Sequence, residues 1–151
     1  MAEQLMSEVL PIVATIDPDA YSTQTLTSDA WDMQKYRRVM VIMMSGTHTT
    51  AESAIATLTG SATSNGSFTT LLDKTASLLE TSTGTNAQVI INLSAAEVAS
   101  TAYRWAKLSV VASGATTVNL AAVVLGDNGR FTEAYTTIAY GDLASVISIV
   151  A

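Results

Sequence analysis

Residues 35–46 read KYRRVMVIMMSG, and the six apolar residues at 39–44 decide how the chain is read. Side chains alternate across a strand, so Val39, Val41 and Met43 share one face while Met40, Ile42 and Met44 share the other. A strand apolar on both faces needs cover on both. That cover comes either from within one domain or from another subunit, and the run alone leaves both open.

The totals narrow the choices. With 151 residues, the chain reads most simply as one domain large enough to bury a core without metal or disulfide staples. Cysteine is absent, which excludes disulfides, thiolate metal sites and cysteine nucleophiles. A net charge of -6 with only 7 basic residues builds no phosphate-tracking patch, so nucleic acid is not an expected partner. Charged residues make up 13% of the chain, about half the usual share, and Ser and Thr supply polarity instead. Such a Thr-, Val- and Ile-rich chain suits β-sheet. No apolar run approaches the ~20 residues needed to span a bilayer, so no membrane partner is expected. The N-terminus lacks a basic start and cleavage pattern, and Glu3 and Glu8 oppose a secretion signal, so an intracellular product is expected.

Along the chain, residues 1–34 show little strand signal. Leu5, Val9, Ile12, Val13 and Ile16 fall at roughly helical spacing, but Pro11 and Pro18 interrupt it. An N-terminal arm with at most one short helix is expected there, followed by a β domain over 35–151. Strands are expected at 38–44, 54–59, 68–72, 76–79, 89–93, 104–111 and 118–125, with 136–139 and 146–150 as further strands or an apolar tail. The loop GSATSNGS at 60–67 predicts a hairpin connection, and GDNG at 126–129 predicts a turn. Ser94-Ala95-Ala96-Glu97 fits a capping box and predicts one short helical turn. Many short strands with Gly-rich loops predict a mainly β fold, an antiparallel β-sandwich or a barrel-like domain.

Candidate chemistry is thin. His48 stands alone in SGTHTT; Glu52 and neighbouring Thr residues could be recruited to it on paper, but a solvated loop histidine is the expectation. Asp17 and Asp19 flank Pro18, and Asp29 and Asp32 flank Trp31; beside Pro and Gly such acids serve as turn formers and caps more often than as paired catalysts. DNGR at 127–130 lacks the alternating oxygen ligands of a calcium loop. No phosphate-cradling loop and no nucleophile elbow is present. No enzyme, cofactor or small-molecule substrate is therefore expected. Aromatics lie beside cations at Tyr36-Arg37-Arg38 and Tyr103-Arg104-Trp105, a pattern that points to stacking and interface anchoring.

Four segments in order, WDMQKYRRVMVIMMSG, VIINLSAAEV, YRWAKLSVVASG and AAVVLGDNGRF, resemble small head proteins of tailed bacteriophages. These are the capsid decoration (cement or auxiliary) proteins, and the resemblance spans about residues 28–131. It implies a sandwich or barrel-like (tulip-like) β domain that binds the outer capsid surface, often as a trimer at threefold positions. The implied partners are copies of itself and the major capsid protein. The implied location is the virion exterior, with the host cytoplasm during assembly. The arm matches no motif of that group.

Apolar excess places the expected oligomer contacts at Tyr36, Arg37, Val39, Met40, Ile42, Met44, Tyr103, Arg104, Val146, Ile147 and Ile149. It places the expected capsid contacts at Leu5, Val9, Ile12, Val13 and Ile16. Two other readings stand beside this one: a tail-tube, neck or spike-base component, and a carbohydrate-binding β-sandwich that uses Trp31 or Trp105 as a sugar platform.

Overall fold

In the computed structural model of the protein, residues 9–47, 52–79, 86–114 and 117–129 are described. The strands are β1 (Ile12–Tyr21), β2 (Gln24–Thr27), β3 (Trp31–Asp32), β4 (Tyr36–Ser45), β5 (Ser53–Ser61), β6 (Thr69–Leu79), β7 (Gln88–Ser94), β8 (Trp105–Ser113) and β9 (Val118–Gly129). One short helix, α1 (Ala95–Ser100), joins β7 to β8. Every strand pairing is antiparallel.

The strands form two sheets. The first runs β1-β9-β4-β7; the second runs β2-β8-β5-β6, with the two-residue β3 added alongside β8. Setting β3 aside and counting the remaining strands along the chain, the order is first-eighth-third-sixth in one sheet and second-seventh-fourth-fifth in the other. That is the strand order of a jelly roll, a sandwich built from two interlocked Greek keys. The expectation of a β-sandwich is met; the sandwich, not a barrel, is the form it takes.

The inner faces show why the sheets stack. On the first sheet Val39, Val41, Met43, Ile91, Leu93, Leu120 and Val124 point inward and are buried. Facing them, the second sheet contributes Ala54, Ala56, Ala106 and Ala112 together with Leu58, Leu108 and Val110, all at 0% exposure. Small side chains on one sheet leave room for large ones on the other, which is how a sandwich core interdigitates. Buried and less buried residues alternate along β8, along β5 up to Gly60 and along β9 up to Asp127, so a register slip of one residue would turn this core out to water.

Within the arm expected over residues 1–34, where little strand signal was read, the chain from residue 12 onward forms strands: β1 is hydrogen-bonded to β9 and β2 and β3 to β8. The placement of the proline explains how a strand tolerates it. β1 is an edge strand, and Pro18 falls in a register break between Ile16 and Asp19, where no ladder bond is required of it. The Tyr21 hydroxyl donates to the Asp17 carbonyl at 2.7 Å, and the Ala20 N–H donates to Asp19 Oδ1 at 2.7 Å, holding the bulge.

Two smaller corrections follow. The strands expected at 68–72 and 76–79 are one strand, β6, whose pairing with β5 slips between Thr57 and Thr59 while Asp73 adopts a φ of 58°. GDNG at 126–129 is not a turn: β9 continues through it and pairs with β4 up to Tyr36↔Gly129. Gly126 is there for space, since a Cβ would lie 2.5 Å from Cδ1 of the buried Tyr36 ring. The capping box at Ser94 forms as expected. Glu97 Oε2 accepts from the Ser94 N–H at 2.7 Å, and Ser94 Oγ accepts from the Glu97 N–H at 3.3 Å. The expected hairpin loop after β5 joins β5 to its antiparallel neighbour β6.

Candidate functional site

The outer face of the first sheet answers the question raised by residues 39–44. β4 is flanked by β9 and β7, so its outward side chains meet outward neighbours on both sides. One cross-strand row runs Ile12, Leu125, Met40, Asn92; the next runs Thr15, Val123, Ile42, Ile90; a third joins Ala121, Met44 and Gln88. Ile90 is 57% exposed and Met44 39%, and Ile12, Met40, Ile42, Val123 and Leu125 are half-buried by one another. No charged side chain stands in these rows.

Polar groups ring this patch. At one end Arg38 donates to Asp127 Oδ2 through Nε at 3.1 Å and through Nη2 at 2.8 Å. Inside that pair lies a depression of about 250 Å³ between Leu10, Met40 and Leu125. At the opposite end an open depression of about 540 Å³ lies between Pro18–Ala20 of β1, Met44 and Ala121. Along β7 the rim is Gln88 and Asn92. A contiguous apolar area with a polar margin is the pattern of a contact surface.

The second sheet is different in kind. Its outward rows read Thr27, Ser109, Thr57, Thr75 and, beside them, Thr25, Val111, Ile55, Ser77. Thr57 Oγ1 and Thr75 Oγ1 lie 3.3 Å apart, and Thr59 Oγ1 donates to the Lys107 carbonyl at 3.3 Å. Hydroxyls can face water without partners of their own kind, whereas methionine and isoleucine gain nothing by doing so. The two outer faces are therefore not equivalent.

The expected contact residues divide. Met40, Ile42 and Met44, expected at oligomer contacts, lie on the apolar outer face, and Ile12, expected at a capsid contact, lies there with them. Tyr36 and Val39, expected at oligomer contacts, instead fill the core at 2% and 1% exposure. Val13 and Ile16, expected at capsid contacts, are also buried, at 4% and 6%. Their side chains point into the sandwich, so they offer no surface. Val9 is half-buried and Arg37 exposed. Tyr103 packs over Gly60, where a Cβ would come within 2.7 Å of its ring, and it lies with Arg104 just before β8 of the second sheet, not beside Met40. Leu5, His48, Val146, Ile147 and Ile149 lie outside the described residues.

Sequence reasoning did not single out Ile90, Val123 and Leu125 as contact residues. The signal was present, because VIINL and AAVVL are apolar at consecutive positions, as residues 39–44 are.

The acidic candidates have structural roles. Asp32 is 3% exposed; its Oδ1 accepts from the Gln34 N–H at 2.9 Å and from Arg104 Nε at 3.0 Å. Burial alone raises the Asp32 pKa, but the Arg104 guanidinium and the Gln34 N–H outweigh it and hold the carboxyl below its usual range. Glu97 is held at about 2 by hydrogen bonds from Lys74 and the Ser94 backbone. Lys74 also donates to the Asn92 carbonyl at 2.7 Å, occupying a group on the outer edge of β7. Trp31, proposed as a sugar platform, is 3% exposed and donates to Met33 Sδ at 3.1 Å, so its ring is not available. Trp105 is half-buried, with the Arg104 guanidinium 5.5 Å from its ring centre. Among the described residues no cluster of three or more His, Cys, Asp or Glu side chains could hold a metal ion. Nor, among them, is any helix long and apolar enough to cross a membrane.

Comparisons with known proteins add little. No protein-family model and no curated protein matches the chain. Among solved structures it is similar to that of infectious bursal disease virus, Gt strain, with a TM-score of 0.41 and 14% identity over 81% of this chain and 32% of that one. The nora virus structure aligns with a TM-score of 0.28 and 14% identity over 87% of this chain and 76% of that one. The chain thus spans about a third of the first of these proteins. Both alignments are loose.

Proposed function

We propose that this chain is a non-enzymatic structural protein of a virion, a decoration protein that binds the outer surface of a phage capsid as a homotrimer. One observation carries the reading: the outer face of the β1-β9-β4-β7 sheet is apolar from Ile12 to Ile90, while the opposite sheet is faced mainly with Thr and Ser hydroxyls around Ile55 and Val111. A surface of this kind works by adhesion. Its affinity comes from apolar area, which salt does not screen, unlike the charge pairs of a steered encounter. Methionines at 40 and 44 suit an irregular joint, being unbranched and able to repack.

The sequence resemblance to phage decoration proteins supports the same reading, and the jelly-roll order is compatible with it. Jelly rolls also serve as lectins and cupins, so the fold by itself does not choose among them. In this reading Met40, Ile42, Met44 and Ile90 form the joint between copies. The capsid contact begins at the rim that holds Val9, Leu10 and Ile12. The partners are other copies of the chain and the major capsid protein, and the site of action is the capsid exterior.

The test is to mix the purified protein with undecorated capsid shells and image them. Extra density at regular surface positions is expected. Bare shells at micromolar protein would overturn the proposal. The carbohydrate-binding reading retains only Trp105; loss of glycan-array binding in Trp105→Ala would favour it instead.

A further inference from the structure

We infer that Lys74 closes the edge of β7 and so keeps a further strand from adding to the first sheet there. The inference does not depend on what the outer face of that sheet meets. Among the described residues β7 pairs only with β4, from Arg38↔Ser94 to Met44↔Gln88, so its far side is an edge. The strand reads QVIINLS, and Ile90 is 57% exposed. An apolar, branched and uncharged edge of this kind is a template for strand addition.

The closure comes from the other sheet. β6 pairs with β5 at Thr59↔Thr70 and again at Thr57↔Thr75, so residues 71–74 stand opposite Leu58 alone. The surplus makes the strand bulge, and Asp73 takes the bend in the left-handed region, with a φ of 58°. Aspartate is among the few residues that tolerate that region. From the bulge Lys74 reaches across to β7. Its Nζ donates to the Asn92 carbonyl at 2.7 Å and pairs with Glu97 Oε1 at 2.7 Å, and its side chain is only 18% exposed. Glu97 is itself held by the Ser94 N–H, so the ammonium is fixed between β7 and the first turn of α1. An incoming strand would find the Asn92 carbonyl occupied and would have to displace or bury the charge. Burying a charge away from its partners costs far more than one ladder hydrogen bond returns. The opposite edge of the sheet is closed by other means: the β1 ladder breaks around Pro18, and Asp17 and Asp19 flank the break.

A strand probe tests the inference. A fluorescent peptide of residues 88–94, the sequence of β7 itself, with a lysine tail for solubility, is titrated with full-length protein while polarisation is read. Circular dichroism confirms that each variant is folded. Lys74→Met removes the charge and keeps the apolar stem, and it should bind the peptide several-fold more tightly than the wild type. Lys74→Arg retains a cation, and Lys107→Met removes one from the second sheet, where Lys107 lies 4.6 Å from the Phe68 ring centre. Both should stay at the wild-type level. If Lys74→Met gains nothing, or if either control gains as much, Lys74 does not hold the edge closed and the inference fails.

Discussion

At the scale of single residues, Gly126 shows how one missing atom sets the local geometry. The Tyr36 ring occupies the space where a Cβ would stand, and Val13 Cγ2 lies 2.9 Å from that point, so neither neighbour can withdraw without opening the core. Gly126→Ala should cost about 1–3 kcal/mol in urea unfolding, the usual range for overpacking. Glu97 gives a pH signature. Its pKa falls from 4.5 to about 2 on folding, so the unfolded chain takes up its proton first as acid is added. The stability it supplies is complete above 4.5 and is lost as the pH falls toward about 2. About half of the Glu97 side chain is in water, so the pair with Lys74 is worth less than about 1 kcal/mol. Glu97→Gln keeps the capping geometry and should flatten the melting temperature against pH across that window. An unchanged slope would place the acid sensitivity elsewhere, with Asp32 the next carboxylate to test.

At the scale of elements, β4 carries two functions on alternate residues. Met43 is fully buried and Met44 is 39% exposed, though they are adjacent and identical. Met43→Ala should cost about 2–5 kcal/mol in denaturant unfolding at low protein concentration. Met44→Ala should stay within about 0.5 kcal/mol under the same conditions. Equal effects would mean that both faces are packed inside one domain. β5 and β8 were legible in the sequence because alternation and branched side chains state them locally, and β4 because six consecutive apolar residues do. The helix α1 was legible because a capping box is a four-residue signal. β1 was not legible: Pro11 and Pro18 argue against a strand, and only its edge position and the bulge at Pro18 make the exception possible. The end of β9 was hidden for a related reason, since GDNG is turn chemistry used inside a ladder to make room for Tyr36.

At the scale of the whole molecule, two sheets of different character are placed back to back, one faced mainly with hydroxyls around Ile55 and Val111 and one with methionine, isoleucine, valine and leucine. The jelly-roll order could not be read from the chain, because pairing of β1 with β9, the first and last strands among the described residues, is a long-range fact that no local pattern carries. The site was half legible. Residues 39–44 announced a second apolar face, but their partners Ile12, Val123, Leu125 and Ile90 come together only through the register. Tyr36, Val39, Val13 and Ile16, expected at contacts, are buried in the core, because apolar excess does not say which way a side chain points. Sedimentation of the full-length protein at micromolar concentration, alone and as the Met44→Asp/Ile90→Asp double variant, tests the assembly reading most directly. A trimer that becomes a folded monomer on substitution is the predicted result; a wild-type monomer, or a double variant that remains a trimer, would contradict it.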